Sequence, residues 1–304
     1  MARITVLLTC YNHLAYLPAC LESVRAQTFR DFEILALDDG STDGTREWLR
    51  EQQDITMVFN ESNLGTYGTL NVGLERANGE LIAVLNDDDL WAPTKLERQV
   101  ELLDRFPRVG LVHTDGGFID GAGKPIDGSP LGFEFPRTET GDVLLSLLYQ
   151  NKIIASAVLA RRECFEHCGV FNPAYFGSGD WEMWLRIAER YEIGYVDERL
   201  TFYRVHGENA SHELDRIWRD DERLRDWIVT RIAEYEKKGY DAAALRRALA
   251  HNWACLGTVR TLNGDPRRGR QAYVESIRLA PLRVKSTLRY LATWLGPQAF
   301  RKLL

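Results

Sequence analysis

The sequence predicts an α/β protein with a mixed, mostly parallel sheet and helices on both faces, followed by a C-terminal helical appendage. Three observations support this fold class. Short apolar runs rich in β-branched residues alternate with helical patterns over about the first 115 residues, and several of the runs end in polar clusters. After about residue 210 the apolar residues repeat every three to four positions, as in helices. Alternating strands and helices form parallel βαβ units with right-handed crossovers.

Five strands and the helices between them can be placed in the first part of the chain. The predicted strands cover residues 4–9, 32–37, 55–59, 81–85 and 109–113. The predicted helices cover residues 14–27, 66–77 and 93–106, and another opens at residues 42–45. Ligands of open α/β sheets bind beyond the carboxyl ends of the strands. The polar residues that follow these strands are therefore the candidate functional residues.

The rest of the chain divides into a mixed segment and a helical segment. The mixed segment is predicted to contain a helix at 141–149, a buried stretch at 153–159, a short helix through Cys168, a tryptophan-rich helix at 180–191 and a strand pair around Tyr195 and Phe202. Residues 210–304 are predicted to be helical, with a turn at 264–266. We therefore predict one domain at 1–209, with halves at 1–115 and 116–209, and a helical region at 210–304.

Composition and the first residues predict a cytoplasmic globular protein. Of 304 residues, 45% are hydrophobic and 27% are charged, which is enough for a sizeable core. The five cysteines are odd in number and lie in apolar segments, which is typical of reduced thiols in a cytosolic protein. The short apolar stretch at residues 4–8 is followed closely by polar residues, so we expect a strand there and not a signal peptide. No run of 18 apolar residues occurs, so no membrane span is predicted.

Charge is unevenly distributed along the chain. The net charge is −6, but residues 265–304 contain nine Lys or Arg residues against two acidic ones, which makes that segment +7 and the remainder −13. The acidic remainder argues against nucleic-acid binding, because it would repel a phosphate backbone. Three interpretations of the basic helices stay open: a solvated face, a dimer interface, or peripheral contact with the inner face of an anionic membrane. Each basic residue near such a surface contributes about 1 kcal/mol, and we adopt membrane contact as the hypothesis.

The first polar cluster, after the first predicted strand, contains an aromatic residue. Tyr11 could stack on a nucleobase, with Thr9 and Asn12 shaping the loop around it. A tyrosine at the end of a strand more often serves packing alone. This cluster therefore indicates nucleotide binding only in combination with the other clusters.

Two further clusters are acidic. Asp38 and Asp39 follow the second strand, and Asp87, Asp88 and Asp89 follow the fourth. Adjacent carboxylates repel one another unless a cation or hydrogen-bond donors face them. Mg²⁺ and Mn²⁺ take hard oxygen ligands, often one or two carboxylates together with substrate phosphates. One such cluster alone would indicate a capped or solvated turn, but two clusters at strand ends of one sheet favour a divalent metal site.

In order and spacing, nine motifs across residues 3–210 resemble the family 2 glycosyltransferases, which have the Rossmann-like, nucleotide-sugar-binding GT-A fold. Each motif alone is a weak signal, but together and in this order they make a specific one. The first acidic place of the family's DxD motif is taken here by Asn86, and the last by Asp88. The motifs are TCYN (9–12), QTF (27–29), DDGSTD (38–43), NLG (63–65), NVG (71–73), ANGE (77–80), NDDD (86–89), GDWEMWLR (179–186) and YRVH (203–206).

The resemblance implies a nucleotide-binding role for the first half of the domain. Thr9, Tyr11 and Asp39 would hold the nucleoside, with Asp39 accepting a hydrogen bond from the base. Asn12 would support the same loop, and Asp87 would contact the ribose side. The donor implied is a nucleoside diphosphate sugar, with a UDP-sugar expected first.

The resemblance also implies a metal, a base and an acceptor pocket. Asp88 and His206 would hold a divalent cation, Mn²⁺ or Mg²⁺, at the donor diphosphate. Asp180 would be the general base, which typically contributes about 10²–10⁴-fold in rate. Gly179 and Trp181 would line the sugar and acceptor pocket in the second half of the domain. The implied reaction is inverting transfer to an acceptor hydroxyl. The hypothesis of membrane contact suits a saccharide or lipid-linked acceptor in cell-surface polysaccharide synthesis.

Simpler interpretations of single residues and other functions stay open. Asp180 could cap the tryptophan-rich helix, Trp181 and Trp184 could belong to the core, and His206 could be a structural histidine. A nucleotide-sugar hydrolase would use the same base on water, and a non-catalytic binding or scaffold protein could keep the fold. A nucleotidyltransferase is disfavoured, because residues 9–14 lack the glycine-rich, basic loop that it would use for phosphate contact.

Overall fold

The computed structural model describes residues 2–128, 130–131 and 134–303, which form two compact units. The first unit contains the described residues up to Leu144, together with Asn151–Tyr175 and Gly179–Asn209. The second contains Leu145–Gln150, Phe176–Ser178 and the described residues from Ala210 onward. The predicted domains, 1–209 and 210–304, differ from these units by the two short segments that lie in the second unit.

A mixed sheet of nine strands forms the centre of the first unit. Its order is β3-β2-β1-β4-β8-β6-β9-β5, and β7 pairs with β6. The pairs β1–β2, β1–β4, β2–β3 and β6–β9 are parallel, whereas β8 and the two short strands pair antiparallel. The strands are β1 Ile4–Cys10, β2 Phe32–Asp38, β3 Thr56–Phe59, β4 Leu81–Asn86, β5 Leu90–Trp91, β6 Val109–Ile119, β7 Pro125–Ile126, β8 Leu159–Arg161 and β9 Glu192–Arg204.

Helices connect these strands. They are α1 Leu17–Arg25, α2 Thr45–Arg50, α3 Gly65–Arg76, α4 Lys95–Arg105, α5 Leu144–Leu147, α6 Arg162–Cys168 and α7 Gly179–Ala188. A 3₁₀ turn at Ala155–Ala157 precedes β8. The predicted α/β class, with a mostly parallel sheet, is confirmed.

The two faces of the sheet are covered by different helices. All seven residues of β1 are buried, which is typical of a parallel strand enclosed on both sides. Val6 and Leu8 belong to the same core cluster as Leu21 of α1. On the other face, a Cβ at Gly73 of α3 would lie 2.6 Å from a Leu37 methyl carbon, so a side chain at this position would require that leucine to shift.

Local departures from the prediction lie in the mixed segment. The predicted strand pair around Tyr195 and Phe202 is one 13-residue strand, β9. The exposed charged residues 197–199 resemble a turn, but register shifts against β6 absorb them as a bulge: Thr114 pairs with Val196, and Asp115 pairs with Arg199. The predicted helix at 141–149 shortens to one turn, Leu144–Leu147.

The second unit is helical. Its helices are α8 Leu214–Lys237, α9 Ala242–Leu262, α10 Pro266–Leu279, α11 Val284–Ala292 and α12 Pro297–Arg301, with 3₁₀ turns at Ala210–His212 and Thr293–Leu295. The turn predicted at 264–266 is confirmed: Gly264 has φ +91°, and the Asp265 side chain caps α10 by accepting from the Arg268 N–H. Among the residues that the structure describes, no helix combines the length and the apolar character needed to cross a bilayer.

Two short segments from the middle of the chain are bound into this second unit by side chains of its helices. Asp220 of α8 accepts hydrogen bonds from three successive backbone N–H groups, those of Phe176, Gly177 and Ser178, at 2.6, 2.7 and 3.3 Å. Asn252 of α9 donates to the Leu148 carbonyl at 2.8 Å. These contacts are the physical reason that 145–150 and 176–178 belong with the C-terminal helices.

Candidate active site

The predicted polar clusters lie at one edge of the sheet. In the parallel register Thr9 pairs with Asn86, and Cys10 pairs with Asp38, so β1, β2 and β4 end side by side. The loops that follow carry Tyr11, Asp39 and the three aspartates after β4. This is the carboxyl edge at which open α/β sheets bind ligands.

The loop after β1 is fixed by its neighbours. The Thr9 hydroxyl lies 3.1 Å from the Asn86 side-chain oxygen. Asn12, at φ +54°, accepts from the Thr42 N–H at 2.8 Å, and its own N–H donates to the Ser41 hydroxyl at 3.0 Å. Asn12 therefore ties the first two loops together, while the half-exposed Tyr11 ring stays open for stacking.

The first acidic pair is held by donors of the protein through one oxygen of each carboxylate, and the other oxygen of Asp38, Oδ1, is buried without a hydrogen bond from the described residues. Asp38 is fully buried and accepts from the Arg46 guanidinium at 2.5 Å. Asp39 accepts through Oδ1 from the Asn60 amide at 3.0 Å and from the Leu64 N–H at 2.7 Å.

The second acidic cluster faces histidines and an arginine. Asp87 lies 2.8 Å from His13 Nδ1 and accepts the Tyr11 N–H at 2.9 Å. Asp88 Oδ2 lies 3.1 Å from His206 Nε2, which brings the two predicted metal ligands together. Asp89 accepts from the Ser156 hydroxyl at 2.5 Å.

The end of β9 supplies a permanent positive charge to this cluster. Arg204 is 3% exposed, and its guanidinium donates to the backbone carbonyl of Asp88 at 2.6 Å. Its backbone N–H donates to Asp89 at 2.9 Å. The Tyr16 ring lies between Arg204, 5.0 Å away, and the His206 ring, 4.6 Å away. β9 therefore brings an arginine and a histidine to the aspartates that follow β4.

Burial and local charge shift the pKa values here. Burial alone would lower the pKa of His13, but the hydrogen bond to Asp87 and the nearby carboxylates raise it to about 9. Burial, followed by the charge of Asp88, raises the pKa of Asp89 well above its usual range and favours its neutral form. Protonation of His13 and the neutral form of Asp89 thus reduce the net negative charge of the cluster.

Asp180 lies at the start of α7 among groups from other elements. Its Oδ2 accepts from the Asn151 amide at 3.1 Å, and its Oδ1 lies 3.5 Å from the Tyr67 hydroxyl of α3. Burial raises the pKa of Asp180 to about 6, although the Trp181 N–H and the Asn151 amide oppose the shift. A carboxylate with this pKa is ionised at neutral pH and is a stronger base than an ordinary aspartate.

The residues next to Asp180 are packed. Trp181 is 4% exposed and Trp184 is fully buried, so Trp184 has the core position that was one of its interpretations. A Cβ at Gly179 would lie 2.6 Å from the Tyr67 ring, so the absence of a side chain there makes room for this tyrosine. The assignment of Gly179 and Trp181 to an acceptor pocket stays a prediction.

Sequence reasoning passed over four residues of this region. His13 and Arg204 stand inside or beside quoted motifs, but nothing in their spacing indicates that they contact Asp87 and Asp88. Tyr67 and Asn151 hold Asp180 from positions 113 and 29 residues away. The signals in the sequence that could have marked these residues are the adjacency of His13 to the TCYN motif and the place of Arg204 inside YRVH.

The donor set fits a divalent cation. Asp88 offers a carboxylate oxygen and His206 an imidazole nitrogen, and both side chains are largely buried. Oxygen and nitrogen donors of this kind suit Mn²⁺, and carboxylates also suit Mg²⁺. The Asn209 amide donates to the same Asp88 oxygen at 3.3 Å and orients it.

Solved structures of similar fold include complexes with a nucleotide or a nucleotide sugar. Residues 1–349 of TarS from S. aureus, in complex with UDP, align with a TM-score of 0.60 and 16% identity over 99% of this chain and 92% of theirs. The mannosyltransferase PcManGT from Pyrobaculum calidifontis, in complex with GDP-Man and Mn²⁺, aligns with a TM-score of 0.59 and 21% identity over 98% and 84%. At these identities the likeness shows the fold, and the predicted GT-A fold is confirmed.

Sequence relatives point to the same group. An uncharacterized glycosyltransferase of Nostoc sp. is 33% identical over 223 residues, which are 68% of this chain and 66% of that protein. One of Rickettsia felis is 27% identical over 215 residues, 69% of this chain and 35% of that protein. The match thus spans less than two thirds of either relative. Residues 5–149 match the profile described as glycosyl transferase family 2. The chain belongs to the family 2 glycosyltransferases.

Proposed function

We propose that this chain transfers a sugar from a nucleoside diphosphate sugar, with a UDP-sugar as the first candidate, to a hydroxyl group of an acceptor with inversion at the anomeric carbon. The observation that carries the proposal is the environment of Asp180. Its carboxylate is held from two sides, by Tyr67 and Asn151, and has a pKa of about 6. One positioned base, with no need of a protein nucleophile, is what a single displacement requires.

The donor nucleoside is assigned to the edge formed by the β1 and β2 loops. Tyr11 offers a half-exposed ring for stacking. Asp39 is held by Asn60 and Leu64 with one oxygen left for a base N–H. Thr9 and Asn12 support the loop and Asp87 anchors it from β4, so these three would act mainly by positioning Tyr11.

The diphosphate is assigned to the region of Asp88 and His206. A divalent cation held there would neutralise the charge that develops on the leaving diphosphate. Mn²⁺ in the mannosyltransferase neighbour supports a cation of this class. Asn209, which donates to Asp88, orients that carboxylate.

Transfer then follows from proton removal by Asp180. The acceptor hydroxyl loses its proton to the carboxylate, and its oxygen forms a bond to the anomeric carbon. The bond between that carbon and the diphosphate oxygen breaks, and its electron pair leaves with the diphosphate. The proposal for the acceptor is a saccharide or lipid-linked hydroxyl in cell-surface polysaccharide synthesis, with Gly179 and Trp181 near the pocket. Residues 1–115 would serve the donor and 116–209 the acceptor.

A hydrolase reaction is the second candidate, because water could take the place of the acceptor before Asp180. The first experiment therefore incubates the protein with UDP-, GDP- and dTDP-sugars and Mn²⁺, and measures nucleotide binding, slow donor hydrolysis and transfer to added acceptors. Metal-dependent binding of one nucleotide that Asp88→Ala weakens would support the donor site. Loss of turnover without loss of binding in Asp180→Ala would support the base.

The control for both variants is Asp31→Ala, which removes an exposed aspartate. Equal behaviour of all three variants and the parent would contradict the assignments. Turnover of the donor that no acceptor accelerates would favour the hydrolase.

We also propose peripheral contact between the C-terminal helices and an anionic membrane. Val284, Leu288 and Leu291 of α11 are 57–66% exposed, while Ser286 of the same helix is buried. This helix turns its apolar side outward, which is costly unless something covers it. Trp294 follows, 66% exposed, with the Arg270 guanidinium 4.1 Å over its ring.

Charge favours a membrane as the covering surface. Residues 265–304 are +7, so two copies of this face would repel each other, whereas an anionic bilayer would attract it. Flotation with phosphatidylserine vesicles tests the idea. Leu291→Gln combined with Trp294→Gln should reduce the bound fraction severalfold, and Val170→Gln, which alters an exposed valine of the first unit, should not. Equal binding by all variants would contradict membrane contact.

A further inference from the structure

His13 is held by the second acidic cluster in a defined orientation. Its Nδ1 lies 2.8 Å from an oxygen of Asp87, which is 3% exposed and also accepts the Tyr11 N–H. A carboxylate on one imidazole nitrogen fixes the ring and leaves the other nitrogen, Nε2, to bind. This pairing is the usual outer support of a metal-binding histidine.

Three potential ligands converge beside the predicted metal pair. One ligand atom from each of His13, His206 and Glu208 lies within 4.8 Å of the other two. The His13 and His206 rings are 5.1 Å apart, edge to face. Two donors on opposite sides of an ion at about 2.1 Å are about 4.2 Å apart. The separations within this set are therefore close to ligand spacing.

We propose that His13 and Glu208 are further ligands of the divalent metal. Together with His206 they form a set of two imidazoles and one carboxylate, with Asp88 at its edge. This inference rests on the proposed metal-dependent transfer but concerns which residues of the chain hold the ion. It assigns to His13, a residue outside the predicted site, a direct contact with the ion.

The composition of the set determines which ions it prefers. Imidazole nitrogen suits Mn²⁺, Co²⁺, Ni²⁺ and Zn²⁺, whereas Mg²⁺ prefers oxygen ligands and retains its water. With two imidazoles the site should discriminate strongly against Mg²⁺. An imidazole binds a metal only when it is deprotonated, so binding at His13 displaces a proton.

The turn of the chain after β9 positions two members of the set. The His206 N–H donates to the Asn209 side chain at 2.6 Å, and the Glu208 N–H points to the His206 ring. The turn thereby brings residues 206 and 208 to the same side. His13 reaches them from the β1 loop, so the ion would join two loops that are far apart in sequence.

Direct metal binding tests this without any reaction. The full-length chain is titrated with Co²⁺, whose visible absorption reports imidazole ligation, and with Mn²⁺, whose free-ion paramagnetic resonance signal falls on binding. Both titrations are done with and without UDP. His13→Gln should lower the affinity at least about tenfold and change the Co²⁺ spectrum, and Glu208→Gln should lower the affinity by a smaller factor.

The control is His167→Gln, which removes an exposed histidine that contacts Tyr191 and leaves the set intact. Circular dichroism confirms that each variant is folded, and Glu208→Gln keeps the test decisive should His13→Gln unfold. The proposal is wrong if both variants bind Co²⁺ and Mn²⁺ as the parent does, with and without UDP. Asp88→Asn would lose the ion in that case, and the proposed transfer would stand.

Discussion

Two acidic clusters end neighbouring strands of one sheet, and they are neutralised in different ways. Asp38, after β2, faces the Arg46 guanidinium, which keeps its charge at every physiological pH. Asp87 and Asp88, after β4, face His13 and His206. An arginine can only pair with a carboxylate, whereas a histidine can release its proton and bind a metal in its place.

The difference separates a cluster held by fixed protein donors from one whose partners can exchange with a cation. Around Asp38 and Asp39 the donors come from Arg46, Asn60 and backbone N–H groups, and the loop would be held in the same way with no ligand bound. Around Asp88 the partners are groups that a cation could replace. Similar acidic motifs at the end of parallel strands therefore have different chemical capacities.

The largest expected effect distinguishes the clusters by turnover. Asp88→Asn should reduce kcat with Mn²⁺ by about 10²–10³-fold, because it removes several kcal/mol of charge stabilisation at the leaving group. Asp38→Asn should leave the kcat of the folded fraction within a few-fold of the parent. Steady-state kinetics at saturating donor measures both, and similar losses in the two variants would erase the distinction.

Metal should stabilise the fold through the second cluster alone. At a Mn²⁺ concentration 100 times Kd, the free energy of unfolding should rise by about 2.7 kcal/mol. Removing the metal with a chelator should reverse the gain. Urea unfolding with and without Mn²⁺ should show this increase in Asp39→Asn but not in Asp88→Asn. A gain retained by Asp88→Asn would place the ion elsewhere.

The arginine pair should matter for stability in the absence of any metal. Arg46→Met leaves the buried Asp38 without its cation and should lower the free energy of unfolding by about 2 kcal/mol, below the range for fully buried pairs because Arg46 is 25% exposed. His206→Gln, measured by urea unfolding of the metal-free protein, should cost less than half as much. The reverse order would show that the histidines are the structural partners.

The pH dependence should separate Asp180 from both clusters. Because the pKa of Asp180 is raised to about 6, its base form is lost as the pH falls through that value, and kcat/KM should drop about tenfold per unit below it. His206→Gln should lower the whole profile and leave this midpoint in place. Asp180→Glu should move the midpoint. A midpoint that moves with His206 would assign the acidic limb to the second cluster.

The raised pKa also makes a prediction for stability. The folded protein holds the Asp180 proton more tightly than the unfolded chain, so stability contributed by the neutral carboxyl is lost as the pH rises from about 4 through about 6. Asp180→Asn should therefore stabilise the protein more at pH 8 than at pH 4. Thermal melts at the two pH values measure the difference, and an equal effect at both would contradict the shift.

The sequence predicted the elements better than the contacts between them. Strands β1 to β4 and their helices produce local apolar periodicity, and the polar residues after them mark the binding edge. The pairing of Asp88 with His206 spans 118 positions, and that of Asp87 with His13 spans 74. Nothing local specifies such partners. The resemblance supplied the first pair, and the second came only from the tertiary structure.

Burial was equally hard to predict at single positions. Arginine is mostly found at protein surfaces, yet Arg204 is buried, and its guanidinium donates hydrogen bonds to the Asp88 and Asp120 carbonyls. Trp181, for which the sequence left both a core position and a pocket position open, is 4% exposed. In both cases the neighbours that decide the outcome come from other strands and helices, which periodicity within one helix or strand does not report.

The bulge in β9 has a consequence for how the sequence can vary. Substitutions at the exposed residues 197–199 should be tolerated, since they remove only exposed contacts such as the ion pair between Glu198 and Arg98. Deleting one of them, unless the bulge shrinks by one residue, shifts the register and turns every later side chain of the strand to the opposite face. Arg204 would then leave Asp88, and His206 would follow. A library of single-residue deletions should therefore find this stretch intolerant of changes in length, although a library of substitutions would find it permissive.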